Sequence, residues 1–173
     1  IQVASALNLS VHDNLVQYDS QQGVSSQMSG ILIGGGSQGD CYDNYIEYGK
    51  GDGIENLGLG GYKIYNNVVA FSGFNYYPGN QSYPKYGIYT NDCSAIQGSE
   101  FDLMFNTIIS PKSAGIDFAS AKATASVIEN NAIISPGQAG NYVVNNGCST
   151  ITIRNNYTSA TIAPAMFTDT TYK

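Results

Sequence analysis

Apolar and polar residues alternate in short runs along this chain, and one pattern recurs six times. Val11, Cys41, Ile64, Leu103, Ile128 and Ile153 each stand three residues before an asparagine: Asn14, Asn44, Asn67, Asn106, Asn131 and Asn156. Two residues after those asparagines stand Val16, Ile46, Val69, Ile108, Ile133 and Thr158. The asparagines are 30, 23, 39, 25 and 25 residues apart, an internal repeat that constrains architecture before local propensity does. A second marker lies between them. Gly30-Ile31, Gly53-Ile54, Gly87-Ile88 and Gly115-Ile116 each open a strand-like run, and Tyr142-Val143 takes the same place without the glycine. From marker to next asparagine the distance is 13, 13, 18, 15 and 13 residues, and from asparagine to next marker 17, 10, 21, 10 and 12. Most length variation falls in the second half, as in a solenoid whose insertions leave one side as loops.

The short period predicts strands. Leu9-Ser10-Val11 and Ile151-Thr152-Ile153 alternate as strands with one buried face. No stretch carries a capped helical pattern, so helices are expected to be few. Two or three short strands per repeat fit one turn of a coil whose strands pair with those above and below. At about 4.8 Å per strand, six coils make a cylinder roughly 29 Å long. Aliphatic columns then stack inside. Asparagine suits the bend because it tolerates the left-handed backbone conformation, and stacked amides bond from coil to coil. The expected fold is all-β: a parallel β-helix solenoid of about six coils with an asparagine ladder.

An asparagine column flanked by aliphatic columns resembles the right-handed parallel β-helix of pectate-lyase-like proteins, across nearly the whole chain. Phrases such as Lys50-Gly51-Asp52-Gly53-Ile54 and Asn66-Asn67-Val68-Val69 are similar to uncharacterised secreted β-helix repeat proteins of bacteria. The ending from Ala165 to Tyr172 resembles the stretch that leaves the last coil in such proteins. The resemblance implies a single domain over 1–173, with coils over about 7–158 and an exit segment at 159–173. It also implies a secreted or cell-surface location. It does not imply one activity, because that fold carries lyases, hydrolases, epimerases, tailspikes and adhesins.

Composition narrows the partners. Net charge is −6 with only 12% charged residues, and Arg154 is the sole arginine, so no basic run exists to neutralise a nucleic-acid backbone. No stretch has the length of a transmembrane helix. The chain starts at Ile1 with no visible signal peptide, which reads as a mature, processed or fragmentary product. Three cysteines without a CxxC spacing speak against a metal site. Cys41 falls in the aliphatic column. Cys93 and Cys148 share a column two coils apart, roughly 9.6 Å and too far for a disulfide. All three read as buried thiols acting as small hydrophobes.

His12, the only histidine, falls in an outward column with Tyr42, Tyr65, Met104, Glu129 and Arg154. Nothing in the sequence points to the serine and acid that a catalytic triad would need, and Glu129 with Arg154 reads as a surface ion pair. Gly34-Gly35-Gly36 and the glycines of 58–61 match neither a phosphate loop nor a dinucleotide fingerprint.

Loop lengths point to one candidate site. The long connections at about 20–29 and 72–86 leave the first and third coils at the same corner, so they would wall a floor on the second coil. That floor would carry Glu47, Lys50, Asp52 and Glu55. Tyr18 would flank one side, and Tyr76, Tyr77, Tyr83 and Tyr86 the other, offering ring faces and polar tips to sugars. In a polysaccharide lyase, Lys50 would act as base or neutralise a uronate, with calcium held by Asp52 and Glu55 or Asp40. In a glycoside hydrolase, Asp52 and Glu55 would flank the bond as acid and base. The arginine base of pectate lyases and the aspartate and histidine signatures of polygalacturonases are missing. The alternative is a non-catalytic structural or adhesive segment. The coil ends show no capping helix, so flanking coils or end-to-end stacking on partners are expected to cover them.

Overall fold

A computed structural model describes residues 1–20, 28–57, 61–74, 85–91, 100–119, 125–146, 148 and 150–163, with only the backbone of Tyr62. Among them are eighteen short strands and no helix, hence none long and apolar enough to cross a membrane. In chain order the strands fall in turn into three parallel sheets. The first holds β1 (Gln2–Ala4), β4 (Ser29–Gly34), β7 (Asp52–Asn56), β10 (Ile88–Thr90), β13 (Ile116–Phe118) and β16 (Val143–Asn145). The second holds β2 (Leu9–His12), β5 (Gly39–Tyr42), β8 (Tyr62–Tyr65), β11 (Phe101–Met104), β14 (Val127–Glu129) and β17 (Thr152–Arg154). The third holds β3 (Leu15–Gln17), β6 (Tyr45–Glu47), β9 (Val68–Ala70), β12 (Thr107–Ile109), β15 (Ala132–Ile134) and β18 (Tyr157–Ser159). Each rung is one strand of each sheet, six rungs in all, and β1 adds a strand ahead of residue 7. The molecule is a parallel β-solenoid.

The repeat sets the register. Cys41 pairs with Val11 and Ile64, Ile88 with Ile54 and Ile116, and Ile108 with Val69 and Ile133. These columns form one continuous buried core down the axis. Each fully buried aliphatic side chain contributes roughly 1.5–3 kcal/mol, which short strands need because no single rung encloses a core. Cys41 and Cys148 are buried free thiols, burial pushing that of Cys41 up to about 12; Cys93 lies outside the described residues.

The glycine marker has a steric cause. A Cβ on Gly30, Gly53, Gly87 or Gly115 would overlap Ile46, Val69, Ile108 or Ile133, the inward residue of the third sheet in the same rung. The first sheet therefore closes on the third only where the side chain is absent. In the last rung Tyr142 replaces glycine and the smaller Thr158 replaces the isoleucine.

The asparagine ladder is continuous. Each ladder amide donates to the Oδ1 of the next: Asn14 to Asn44 at 2.9 Å, Asn44 to Asn67 at 2.9 Å, and Asn67 to Asn106 at 3.0 Å. Asn106 to Asn131 and Asn131 to Asn156 follow at 2.9 Å. Backbone N–H groups of the same residues donate to the same oxygens. The left-handed conformation falls elsewhere than expected. Asp13, Asp43, Asn66, Phe105, Asn130 and Asn155, one residue earlier, carry the positive φ of 54–57°. The preceding residue turns the chain, and the ladder asparagine ties rung to rung.

Outside, the second sheet stacks His12 on Tyr42 and Tyr42 on Tyr65 at 4.8 and 4.9 Å. The column ends in the Glu129–Arg154 pair at 2.5 Å. An exposed pair of this kind contributes up to about 1 kcal/mol. At the corner from third sheet to first, Tyr18 stacks on Tyr48 and Tyr48 on Phe71, all three with positive φ.

Candidate functional site

The outer face of the first sheet gathers most of the buried charge. Within β7, Ile54 and Asn56 point inward, so Glu55 points out. In register it stands beside Leu32 on one side and Tyr89 on the other, and Tyr89 is followed by Asp117. Asp52 directly precedes the Gly53-Ile54 marker, as Tyr86 precedes Gly87-Ile88. The repeat thus puts Tyr86 one rung from Asp52 and Lys85 against it. Asp52, Glu55, Lys85 and Asp117 are all buried, Lys85 only 1% exposed.

Lys85 Nζ lies 3.6 Å from Asp52 Oδ2, and the Tyr86 backbone N–H donates to Asp52 Oδ1 at 2.6 Å. The Lys85 backbone N–H donates to Ser113 Oγ at 3.1 Å, and the Ser113 N–H returns a bond to the Lys85 carbonyl at 2.8 Å. Tyr86 and Tyr89 stack with ring centres 5.5 Å apart. Asp117 Oδ1 accepts from Asn146 Nδ2 at 2.7 Å, and the Tyr86 hydroxyl also bonds the Asp117 carboxylate. Glu55 Oε2 is buried without a hydrogen-bond partner. Asp19 sits over Gly49, where any Cβ would collide with its carboxylate.

Burial dominates the electrostatics. It raises Asp52 to about 7, with Lys85 and the Tyr86 N–H pulling the other way and Glu55 adding to the rise. Burial likewise raises Glu55 against Lys85 and Ser29, Asp117 against Tyr86 and Asn146, and Asp19 against Ser20 and the chain's amino group. Tyr86 is raised by burial first and then by Asp117. Such displaced groups, gathered on one face, mark functional sites more often than ordinary surface.

The shifts carry a stability prediction. The folded chain holds Asp52 protonated at pH values where the unfolded chain, with an ordinary carboxyl near 3.8, has released the proton. Stability therefore falls as pH rises from about 4 to about 7 and levels above. Between pH 5 and pH 8, Asp52 alone accounts for about 3 kcal/mol, read as a higher urea midpoint at pH 5. A midpoint that is flat or rises over this range would contradict the assignment.

The expected floor is divided by the fold. Asp52 and Glu55 share β7 but lie buried, whereas Glu47 is on β6 in another sheet, where Oε1 accepts from Gln17 Nε2 at 2.5 Å. Lys50 lies half-buried at the corner between them, and the cation facing Asp52 is Lys85. Asp40 points out from the second sheet beside Lys63. Among the described residues no three His, Cys, Asp or Glu side chains are grouped to hold a metal ion. Tyr86 joins the cluster. Tyr18 is exposed in the corner stack, one ring face against Tyr48. Tyr76, Tyr77 and Tyr83 lie outside the described residues. Lys85, Tyr89 and Asp117 were not among the residues expected at the site. Aligning the chain on its Gly-Ile markers would have placed Tyr89 and Asp117 in the Glu55 column.

Comparison with known proteins gives no match to a family model, to a curated protein or to a solved structure.

Proposed function

We propose that this chain is a secreted β-helix that holds an extracellular polysaccharide across the outer face of its first sheet and hydrolyses a glycosidic bond there. One observation carries the reading: burial raises the pKa values of Asp52, Glu55 and Asp117, with Lys85 opposing the rise at Asp52 and Glu55 and Tyr86 with Asn146 opposing it at Asp117. Hydrolysis needs one protonated and one ionised carboxyl flanking the bond. Glu55 is the acid, because its Oε2 is uncommitted. Asp117 is the base, held by Tyr86 and Asn146. They occupy one column two rungs apart, about 9.6 Å between backbones by strand spacing, just beyond the roughly 6.5–9.5 Å that separates the carboxyl groups of inverting enzymes. Tyr89 stands between them, and the Asp52–Lys85 pair positions the Tyr86 segment. The excess of carboxylates over cations disfavours a uronate, and with it lyase chemistry, and favours a neutral polymer.

The second reading is a non-catalytic structural or adhesive segment. It is favoured by the near-complete burial of Lys85 and Asp52, since buried pairs also serve to fix a fold. Release of reducing ends from a panel of neutral polysaccharides separates the two. Hydrolysis by the natural chain, lost by roughly 10²-fold or more in Glu55→Gln and in Asp117→Asn with folding intact, supports the enzyme. Activity that survives both substitutions, or no cleavage of any neutral polymer, overturns it.

A further inference from the structure

Asp52 and Lys85 meet with a geometry that a charge pair alone does not require. The lysine is 1% exposed and the aspartate 4%, so an amine and a carboxyl face each other with water excluded. Nζ stands 3.6 Å from Oδ2, close to the roughly 3–3.5 Å of reacting atoms poised for attack. Both partners are held from the backbone. The Asp52 N–H donates to the Met28 carbonyl at 2.7 Å, and Lys85 exchanges two bonds with Ser113.

The carboxyl is also held unevenly. Oδ1 accepts the Tyr86 backbone N–H at 2.6 Å, a donor placed to stabilise the oxyanion of a tetrahedral intermediate. Oδ2 is left facing the amine as the leaving oxygen. Glu55 completes the group as a proton carrier. It is 3% exposed, lies close enough to act electrostatically on Asp52 and to feel Lys85, and keeps Oε2 without a hydrogen-bond partner.

We propose that this pair closes after folding into an amide between the Lys85 and Asp52 side chains, an isopeptide crosslink from β7 to the segment that enters β10. A proton passes from Nζ to Glu55, and the freed lone pair of Nζ forms a bond to Asp52 Cγ. The Cγ–Oδ2 bond then breaks, and Oδ2 leaves as water with two of the three ammonium protons, one of them returned by Glu55. Ammonium and carboxylate become amide and water, Glu55 ends as it began, and no oxidant or cofactor is consumed. The exchange is favoured because a buried charged pair, costly to desolvate, gives way to a neutral group. Like a disulfide, the bond restricts the unfolded chain, here across 33 residues of sequence. The charged pair seen in the structure is the open form, and the pH and denaturation behaviour of Asp52, Lys85 and Glu55 belongs to that form. No polysaccharide takes part, so the crosslink stands or falls apart from hydrolysis.

Intact mass of the natural 173-residue chain, followed while the folded protein stands near neutral pH, tests this. The mass is expected to fall by one water from the 18.4 kDa of the sequence. After unfolding, trypsin then fails to cut behind Lys85 and leaves residues 51–63 joined to 64–112. Glu55→Gln is expected to slow the loss by roughly 10²-fold. A natural chain that keeps its full mass overturns the proposal, whether or not the variant folds. A succinimide at Asp52–Gly53 loses the same water but leaves the two peptides separate, and that outcome overturns it too. Closure of Glu55→Gln at the natural rate overturns the role given to Glu55.

Discussion

Replacing Asn106 with alanine lowers the stability of the solenoid by about 4 kcal/mol, the sum expected for two to three buried polar groups losing their partners. Asn106 is 1% exposed and stands mid-ladder. Its Nδ2 donates to the Ile64 carbonyl at 2.8 Å and to Asn131 Oδ1 at 2.9 Å, while its Oδ1 accepts from the backbone N–H and the amide of Asn67. Alanine removes all four bonds and admits no water to replace them. A domain of ordinary stability, about 5–15 kcal/mol, loses roughly a quarter or more of its margin. The same change at Asn156, which is half-buried at the last rung, costs about 1 kcal/mol. Urea unfolding of the two variants measures the contrast. Equal losses would mean that the ladder does not act through buried amide bonds.

Lys85→Met is the second large effect. It leaves the Asp52 carboxylate buried with its lysine partner gone, and the loss at pH 8 is about 3–5 kcal/mol. The loss shrinks towards pH 5, where Asp52 is protonated and needs no counter-charge. Adding Asp52→Asn to Lys85→Met recovers most of the stability, because the cost comes from the orphaned charge rather than from the lost attraction. Chemical denaturation of both single variants and the double at the two pH values gives the coupling. A Lys85→Met variant equally destabilised at both would place the cause in packing of the lysine stem.

The parts of the fold that depend on repetition were legible in the sequence. The aliphatic columns, the asparagine ladder, the outward series from His12 to Arg154 and the burial of Cys41 all follow from aligning rungs on one another. The turn was misassigned by one position, although five of its six residues are Asp or Asn, the types that tolerate a left-handed backbone. The ladder masked them because its asparagines recur more strictly.

The site was less legible because neighbours in sequence part company at a corner. Glu47 and Asp52 are five residues apart yet occupy different sheets, while Asp52 and Lys85, 33 residues apart, are in contact. Burial was hidden for a related reason. Alternation tells which residues point out of the solenoid, but not which of those become covered, so Asp52 and Glu55 read as a solvated floor.

The central claim is that the carboxylates on the first sheet are kept for function at a cost to folding. The denaturant midpoint of Glu55→Gln at pH 8 tests it most directly. The substitution removes a buried charge whose Oε2 has no partner, in a cluster where acids outnumber lysine. A midpoint above that of the natural chain is predicted, with polysaccharide hydrolysis lost. A lower midpoint would make Glu55 part of what holds the coil together and contradict the account.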